Sequence, residues 1–343
     1  MQGNREHYPQ LDGLRGVAIA IVIVGHAARF SLGQAGVWTT LASAGVSIFF
    51  ALSGFLITNI LLAEVETTGS FSFKNFYARR ALRLLPALFL FLAVMTVLKC
   101  LGSFRQDSWT ALAASALYLR NIVGSGDGTG HLWSLSLEEQ FYLTWPLLLL
   151  LAFRRRQAVT IAILLGLAAV RAGVLHFRLV SEAGGAVYTR PWFRYDSILY
   201  GCLIAILLRG RSVPRRWSSI TALLHPVLTI PLLILATAIP LTSPLDPFSL
   251  TLQALLAAAV TFSVIVCPLE SALYRILASV PFRFLGRISY SLYLWQQPFV
   301  VLRTPSWGGL RTFPVSIAVA VTLAVLSHYV VERPFLALKA RFS

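Results

Sequence analysis

The stretch from Leu11 to Phe30 places ionisable side chains inside an apolar segment that is long enough to cross a lipid bilayer. About 20 helical residues, each rising about 1.5 Å, span the hydrocarbon core of a membrane. Asp12, Arg15 and His26 interrupt this segment. Because a charged group in lipid costs kilocalories, such residues usually face a protein interior or a water-filled cavity and serve a function there. The segment therefore predicts a membrane helix with a functional polar face.

Arg15 and His26 are predicted to share that face. They are eleven positions apart, which leaves them only about 20° apart around a helix axis and about 16 Å apart along it. This spacing places a charge near one end of the helix and a titratable imidazole toward the other. Arg15 has two interpretations: an ion pair with Asp12 that fixes the helix, or a contact with a substrate.

The composition indicates an all-α polytopic membrane protein. Of the 343 residues, 57% are hydrophobic and only 12% are charged, whereas a soluble domain carries about 25% charged residues. The formal net charge of +16 would suggest a nucleic-acid partner in a soluble protein. Here, Lys and Arg in cytoplasmic loops explain most of it. We therefore expect a lipid bilayer, and no nucleic acid, as the surroundings.

Hydropathy and loop charges predict ten spans around a central polar cavity, with both termini in the cytoplasm. The whole chain, 1–343, is predicted to form a single transmembrane domain with no fused soluble domain. Lys74, Arg79, Arg80 and Arg83 are assigned to a cytoplasmic loop, and the short apolar segment 109–123 to a surface or re-entrant helix on the outer side. The predicted spans are 11–30, 41–63, 84–102, 134–153, 158–175, 196–208, 217–240, 248–267, 284–302 and 313–335.

Two further features are interpreted conservatively. Cys100, Cys202 and Cys267 sit singly in apolar segments, at no metal-ligand spacing, so we expect small hydrophobic side chains and no metal site. The Gly-rich stretch 124–130 predicts a flexible connection or, as the alternative, a gate at the mouth of the cavity.

The predicted topology brings polar side chains from four spans to one depth near the outer face. In a membrane, the free-energy cost of such a layer is low only if the side chains face a cavity inside the protein. Glu138 has two interpretations, a catalytic carboxylate or a strut paired with Arg194. The layer comprises His26, Glu138, Glu139, Arg194, Asp196, Trp295, Gln296 and Gln297.

A pair of arginines is predicted at the inner face. Arg80 and Arg83 are at positions i and i+3, so their guanidinium groups project together and form a fork for phosphate. They could equally be ordinary positive-inside residues. Together with a histidine able to take a proton from a hydroxyl, they suggest transfer of a group from a cytoplasmic polyanionic donor to an acceptor on the far side.

Seven stretches carry a resemblance to a known family. In chain order they are LDGLRGVAIAIVIVGH (11–26), GVSIFFALSGFLIT (45–58), FYARRALRLLPAL (76–88), HLWSLSLEEQFYLTWPLL (131–148), FRYDSILYG (193–201), SYSLYLWQQP (289–298) and VERPF (331–335). With these motifs the chain resembles the acyltransferase-3 family of integral membrane O-acyltransferases. That family acylates cell-surface polysaccharides, lipopolysaccharide and, in some branches, antibiotics or other small products.

The resemblance implies roles for particular residues. His26 would be the essential catalytic residue and Arg15 its motif partner, while Arg80 and Arg83 would help to hold acyl-CoA. Gln296 stands where the family often has His, and Ser47 where an acidic residue is common. The residues expected to line the substrate cavity are Asp12, Ser53, Trp133, Ser134, Tyr142, Arg194, Asp196, Trp295 and Gln296.

Some relatives carry a fused extracytoplasmic esterase-like domain. We expect this chain to act without one, alone, as a homo-oligomer or with a separate extracytoplasmic partner. Trp133, Trp192, Trp295 and Trp307 are expected near the outer interface, where they would form an aromatic belt or stack on a sugar.

These observations predict an acyltransferase of the bacterial inner membrane. It would move an acyl group, expected to be acetyl, from cytoplasmic acyl-CoA to a hydroxyl of a carbohydrate or glycolipid, with His26 as general base assisted by Glu138. The alternative is a transporter or flippase that uses the same polar residues as a substrate or proton path. A purely structural role explains none of the buried charge.

Overall fold

The protein is predominantly helical in the part that the computed structural model describes, which comprises residues 8–32, 35–102, 107–124, 126, 128–176, 189–209, 225–237, 246–301, 309 and 312–342. No β-strand occurs within these ranges. The helices are α1 (Pro9–Leu32), α2 (Ala35–Thr68), α3 (Phe73–Cys100), α4 (Trp109–Ala116), α5 (Trp133–Leu151), α6 (Arg156–His176), α7 (Pro191–Leu208), α8 (Pro226–Thr237), α9 (Asp246–Ile265), α10 (Ala272–Leu277), α11 (Val280–Gln296), α12 (Val315–Leu326) and α13 (Arg333–Ala337).

Five segments are long and apolar enough to cross a membrane, judged by length and composition: Pro9–Ala27, Leu41–Thr68, Phe73–Cys100, Phe153–Gly173 and Val315–Phe342. The all-α class is confirmed for the described residues. Ten spans and two cytoplasmic termini stay predictions. Helix α4 has 8 residues and is about 12 Å long, which is too short to cross a core of about 30 Å.

The start of α3 differs from the prediction. The helix begins at Phe73, eleven residues before the predicted start of the third span, because the Ser72 hydroxyl accepts a hydrogen bond from the Asn75 amide at 3.3 Å and caps the first turn. The basic residues Lys74, Arg79, Arg80 and Arg83 therefore lie on α3, and their assignment to a loop was wrong. Hydropathy alone does not detect the polar first turns of a long helix.

Proline marks the place where α11 changes its winding. The helix continues beyond Gln296 as a π-helical segment, Gln297–Val301, which contains Pro298. Because proline has no amide hydrogen, it cannot donate to the carbonyl four residues before it. The hydrogen-bond pattern of the helix changes there from the α-helical to the wider π-helical spacing. Such π segments are frequent at functional sites, and this one directly follows two predicted cavity residues, Trp295 and Gln296.

The described residues of the Gly-rich stretch 124–130 accept and donate several hydrogen bonds, while its role as a flexible connection or a gate stays a prediction. The Arg120 guanidinium donates to the Gly124 carbonyl at 3.0 Å, to the Gly126 carbonyl at 2.6 Å and to the Thr129 hydroxyl at 3.2 Å. The Asp107 carboxylate accepts from the Gly128 amide at 2.8 Å. Burial of the Asp107 carboxyl group raises its pKa, although hydrogen bonds from Gly128 and Thr129 lower the pKa in part.

The chain forms two compact units, which are described separately. The first comprises Met1–Gly25, Gly36–Phe71 and Phe141–Arg287, and the second comprises His26–Ala35, Ser72–Gln140 and Ile288–Ser343. The first unit contains a continuous apolar core from α1, α2 and α7–α10. In the second unit, α3 packs against the π-helical segment Ser327–Glu332 that continues α12.

Glycines permit very close helix packing inside the first unit. A Cβ atom added to Gly54 on α2 would lie 1.9 Å from the Ile198 carbonyl oxygen, and one added to Gly201 on α7 would lie 2.0 Å from the Ala51 carbonyl oxygen. The two helices thus cross backbone to backbone, as small residues allow in membrane proteins. This contact explains why the family-like stretches 45–58 and 193–201 have glycine at positions 54 and 201.

Candidate active site

His26 is hydrogen-bonded to a buried amide on another helix of the second unit. The His26 Nδ1 atom lies 3.1 Å from Gln296 Oε1. A carboxamide oxygen only accepts hydrogen bonds, so Nδ1 carries the proton and Nε2 is the basic nitrogen of the ring. Gln296 is 0% exposed at the end of α11. The structure thus brings together two residues that the sequence had assigned to one cavity.

A second imidazole, His131, belongs to the same unit. It lies in the short 3₁₀ turn Gly130–Leu132 that leads into α5 and is 6% exposed. Burial lowers the pKa of His131 well below its ordinary value, and the electrostatic influence of His26 and Arg120 lowers it further. The His131 ring is therefore neutral at neutral pH, with one nitrogen as donor and the other as acceptor.

A hydroxyl network fixes the start of α5 around His131. The Tyr293 hydroxyl donates to the His131 carbonyl at 2.8 Å, and it shares a hydrogen bond of 2.7 Å with the Ser134 hydroxyl. Glu138, one turn further along α5, is an electrostatic neighbour of Tyr293. The predicted residue Ser134 therefore contacts this network directly, and Glu138 acts on it electrostatically. Trp133 is half-buried at the first position of α5.

Aromatic rings connect His131 with Trp295. The Phe91 ring meets the His131 ring edge to face at 5.6 Å between centroids, and it meets the Trp295 ring in the same manner, also at 5.6 Å. His131 also contacts the Tyr293 ring at 5.2 Å. Trp295, predicted as a cavity residue at an aromatic belt, is 6% exposed, so its indole lies inside the described second unit.

Several polar atoms of this group lack a hydrogen-bond partner among the described residues. They are both ring nitrogens of His131, the Trp295 indole nitrogen and the Gln296 amide nitrogen. A buried polar atom left without a partner costs about 1–3 kcal/mol, and native proteins keep few of them. Their concentration beside His26 is the signature of a site that a ligand or ordered water completes.

The predicted phosphate fork contains an ion pair. Arg80 Nη2 lies 2.7 Å from Glu139 Oε1, with both side chains about one-fifth exposed. Arg83 is half-buried on the same helix, α3. Both arginines belong to the second unit with His26. Because Arg80 and Glu139 are in contact, they lie at one depth, so the prediction of Arg80 at the inner face and Glu139 in the outer polar layer was wrong for at least one of the two.

The first unit contains a separate group of buried charges. Arg171 on α6 is 1% exposed and lies 2.7 Å from the Asp196 carboxylate on α7. It also donates to the Thr251 hydroxyl at 2.7 Å and to the Phe193 carbonyl at 3.0 Å. Asp196, a predicted cavity residue, is therefore half of a buried, hydrogen-bonded ion pair.

Arg194 lies in the same unit, and two neutral side chains accept hydrogen bonds from it. Its guanidinium donates to the Ser47 hydroxyl at 3.1 Å and to the Gln253 side chain at 3.5 Å, and it lies 5.6 Å from the centre of the Phe50 ring. Ser47, where an acidic residue is common in the family that the sequence resembles, thus supplies a hydroxyl to this arginine.

The other predicted residues of the first unit lie on three helices. Asp12 and Arg15 are half-buried on α1, Ser53 is half-buried on α2, and Tyr142 is buried on α5. Trp307 lies outside the described residues.

Sequence reasoning missed His131, Arg171 and Arg120. His131 begins a quoted family-like stretch, but its position beside glycines suggested a loop. Arg171 had a usable signal, since an arginine inside an apolar span usually faces a polar interior. Over the described part of the chain, no three His, Cys, Asp or Glu residues lie close enough to hold a metal ion.

The arrangement in the second unit provides the groups needed for acyl transfer: an oriented imidazole, neutral donors beside it and a basic pair on α3. Comparison with known proteins agrees with this class of chemistry. The model of the acyltransferase-3 family, described as an acyltransferase domain, matches residues 8–332. The chain therefore belongs to this acyltransferase family.

Curated relatives cover nearly the whole chain. It is 33% identical to a putative peptidoglycan O-acetyltransferase, YrhL, of Bacillus subtilis (strain 168), over 96% of this chain and 55% of that protein. It is 31% identical to the peptidoglycan O-acetyltransferase OatA of Listeria monocytogenes serovar 1/2a, over 96% of this chain and 56% of the relative. A putative O-acetyltransferase of Staphylococcus aureus (strain COL), SACOL0978, is 26% identical over 96% and 57%. The chain thus spans about half the length of these relatives. No solved structure matches it.

Proposed function

We propose that the protein is a membrane-embedded O-acetyltransferase that moves an acetyl group from acetyl-CoA to a hydroxyl of a cell-surface carbohydrate. The observation that carries this proposal is the His26–Gln296 hydrogen bond of 3.1 Å, which makes Nε2 the basic nitrogen of an imidazole in a polar site. Family membership supports the reaction type, and the names of two relatives suggest peptidoglycan as the class of acceptor.

In the proposed reaction, the acceptor oxygen adds to the thioester carbonyl carbon while its proton passes to His26 Nε2. The carbonyl oxygen becomes an alkoxide, and it reforms the C=O bond as the C–S bond breaks. The CoA thiolate leaves and is protonated by the imidazolium, so the products are the O-acetyl ester and CoA. The same base can serve direct attack or the two halves of a covalent acyl-enzyme route.

The donor is proposed to bind through arginines. CoA carries several phosphates, and planar guanidinium groups bind phosphate in a bidentate manner. Arg80 and Arg83 lie on one face of α3, and Arg80 donates to the Glu139 carboxylate at 2.7 Å, an anionic group that a phosphate would have to replace. Arg15 is proposed as a further donor contact from α1. Glu138 is proposed to assist His26, because it lies near the Tyr293 and Ser134 network.

The acceptor is proposed to be a glycan at the outer face of the bacterial inner membrane. Ser53, Tyr142 and Trp133 are proposed to line its path, and Asp12, Arg194 and Asp196 to shape the polar surroundings. A homo-oligomer or a separate extracytoplasmic protein is proposed as a partner.

The test measures acetyl transfer by the purified protein in lipid nanodiscs with radiolabelled acetyl-CoA and peptidoglycan fragments. We expect the wild type to release CoA and label the glycan, and His26→Ala to reduce both by at least about a thousandfold, because the base is lost. His225→Ala, which changes a histidine of the first unit, is the matched control and should retain activity. Transport of label into vesicles without release of CoA would favour a transporter instead, and full activity of His26→Ala would refute the assignment of the base.

A further inference from the structure

Three buried side chains of the second unit, His131, Trp295 and Gln296, have donor atoms without a partner among the described residues and are neighbours in the fold. His131 and Trp295 flank the same Phe91 ring, each at 5.6 Å between centroids. Gln296 follows Trp295 in the chain, and its Oε1 atom accepts from His26. Each of the three side chains is more than nine-tenths buried. We call His131, Trp295 and Gln296 the donor cluster.

The free atoms of the donor cluster are suited to one kind of ligand atom. The Trp295 nitrogen and the Gln296 amide nitrogen can only donate, and neutral His131 offers one further N–H group. The cluster therefore presents more donors than acceptors and carries no formal charge of its own. A phosphate would favour a guanidinium, and a metal ion would need acceptors. An uncharged carbonyl oxygen that gains negative charge during a reaction fits such a cluster.

We infer that the donor cluster binds the carbonyl oxygen of the acyl group and stabilises the alkoxide that forms on it. This inference rests on the proposed function, to which it adds the site for the reacting oxygen. Gln296 joins the two tasks within one side chain: its oxygen orients His26, and its nitrogen, attached to the same carbon, points a donor into the region beside that base. The base and the oxyanion donors are thereby fixed relative to each other before the substrate binds.

The key variants remove single donors and retain the ring packing. Trp295→Phe deletes the indole N–H, and His131→Phe deletes the imidazole while an aromatic ring still faces Phe91. Loss of one oxyanion donor typically lowers kcat by about 10²–10³-fold. We expect a decrease in kcat of about a hundredfold for each variant, and a rise of no more than about tenfold in KM for acetyl-CoA, because the ground-state carbonyl loses a donor as well. Trp109→Phe, an exposed tryptophan on α4, is the matched control and should keep the wild-type kcat.

A binding measurement makes the inference testable without turnover. S-acetonyl-CoA keeps a carbonyl but does not react as a thioester, whereas S-propyl-CoA lacks that oxygen. The wild type should bind S-acetonyl-CoA about tenfold more tightly, and Trp295→Phe and His131→Phe should lose this preference while they still bind S-propyl-CoA. Equal binding of the two analogues by the wild type, or an unchanged preference in both variants, would overturn the inference while acetyl transfer to glycan still supports the proposed function. If neither analogue binds, the proposed donor is wrong as well.

Discussion

Buried charge in this protein is tolerated where each side chain has several specific partners. Arg171 combines an ion pair to Asp196 with hydrogen bonds to the Thr251 hydroxyl and the Phe193 carbonyl. Asp196 also accepts from the Ser197 amide at 2.9 Å. Removing two charges from water is costly, so such a pair is stable only when its geometry satisfies most of the donors and acceptors.

Removal of one partner of this ion pair should therefore lower the free energy of unfolding much more than removal of both. We expect Arg171→Met to lower the free energy of unfolding by about 3–5 kcal/mol, since it leaves the Asp196 carboxylate buried beside apolar groups. The double variant Arg171→Met/Asp196→Leu should recover most of that loss. Unfolding in detergent, followed by circular dichroism against denaturant concentration, measures both. A double variant as unstable as Arg171→Met alone would contradict this account.

Individual site residues were predictable from the sequence where polarity stood out against an apolar background. His26, Arg194 and Asp196 are conspicuous in this sense, and each lies in a hydrogen-bonded polar group. The pairing of His26 with Gln296 could not be derived, because spacing within one helix says nothing about register between helices separated by 270 positions. His131 was missed for a different reason: a turn residue lacks the periodicity that marks a buried face.

Among the helices, close packing depends on positions where even one methyl group does not fit. A Cβ atom on Gly54 would lie 1.9 Å from the Ile198 carbonyl oxygen, so α2 and α7 would have to separate. Gly54→Ala should therefore lower the free energy of unfolding by about 2 kcal/mol or more, as overpacking does.

The chain provides a matched control for this prediction. Among the described residues, no atom beyond the adjoining backbone of α6 and its chain neighbours lies within 4 Å of a Cβ atom added to Gly166. Gly166→Ala should leave stability unchanged or raise it by about 0.5–1 kcal/mol, because alanine favours the helical backbone. Thermal unfolding in detergent micelles compares the two variants. If both had the same effect, a general response of helices to alanine would explain the data better than close packing.

Element boundaries depended on signals that hydropathy does not contain. Helix α3 starts at the cap residue Ser72, and its first turns are basic and half-buried, so an apolar window detects only the later part. The stretch 124–130 reads as flexible because it is rich in glycine, yet the Arg120 side chain binds Gly124, Gly126 and Thr129. Long side chains that fold back onto a loop leave no periodic pattern in the sequence.

Three helices that carry polar site residues are absent from the described segments that are long and apolar enough to cross a membrane. Five described segments satisfy length and apolarity, whereas α5, α7 and α11 carry Glu138, Asp196 and Gln296 among apolar residues. A helix that lines a polar interior must have lower hydropathy than one that faces lipid. A count of strongly apolar helices therefore gives a lower limit on the number of spans.

The distribution of basic residues makes the membrane orientation testable. Arg79, Arg80 and Arg83 follow Ser70 closely, and 154–156 is a run of three arginines that precedes Gln157. Because translocation disfavours Lys and Arg in short connections, both places should be cytoplasmic. Leu117 lies between α3, whose first turns carry the first basic group, and α5, which ends just before the second. The segment around Leu117 should therefore face outward.

Cysteine labelling tests this orientation directly. In a variant in which Cys100, Cys202 and Cys267 are replaced by alanine, single cysteines are introduced by Ser70→Cys, Gln157→Cys and Leu117→Cys, all at exposed positions. A membrane-impermeant maleimide added to intact cells should label only Leu117→Cys, while Ser70→Cys and Gln157→Cys should react after the membrane is permeabilised. Labelling of Ser70→Cys in intact cells would reverse the orientation. The arginines of α3 would then lie on the side away from cytoplasmic acetyl-CoA, and the proposed direction of transfer would be wrong.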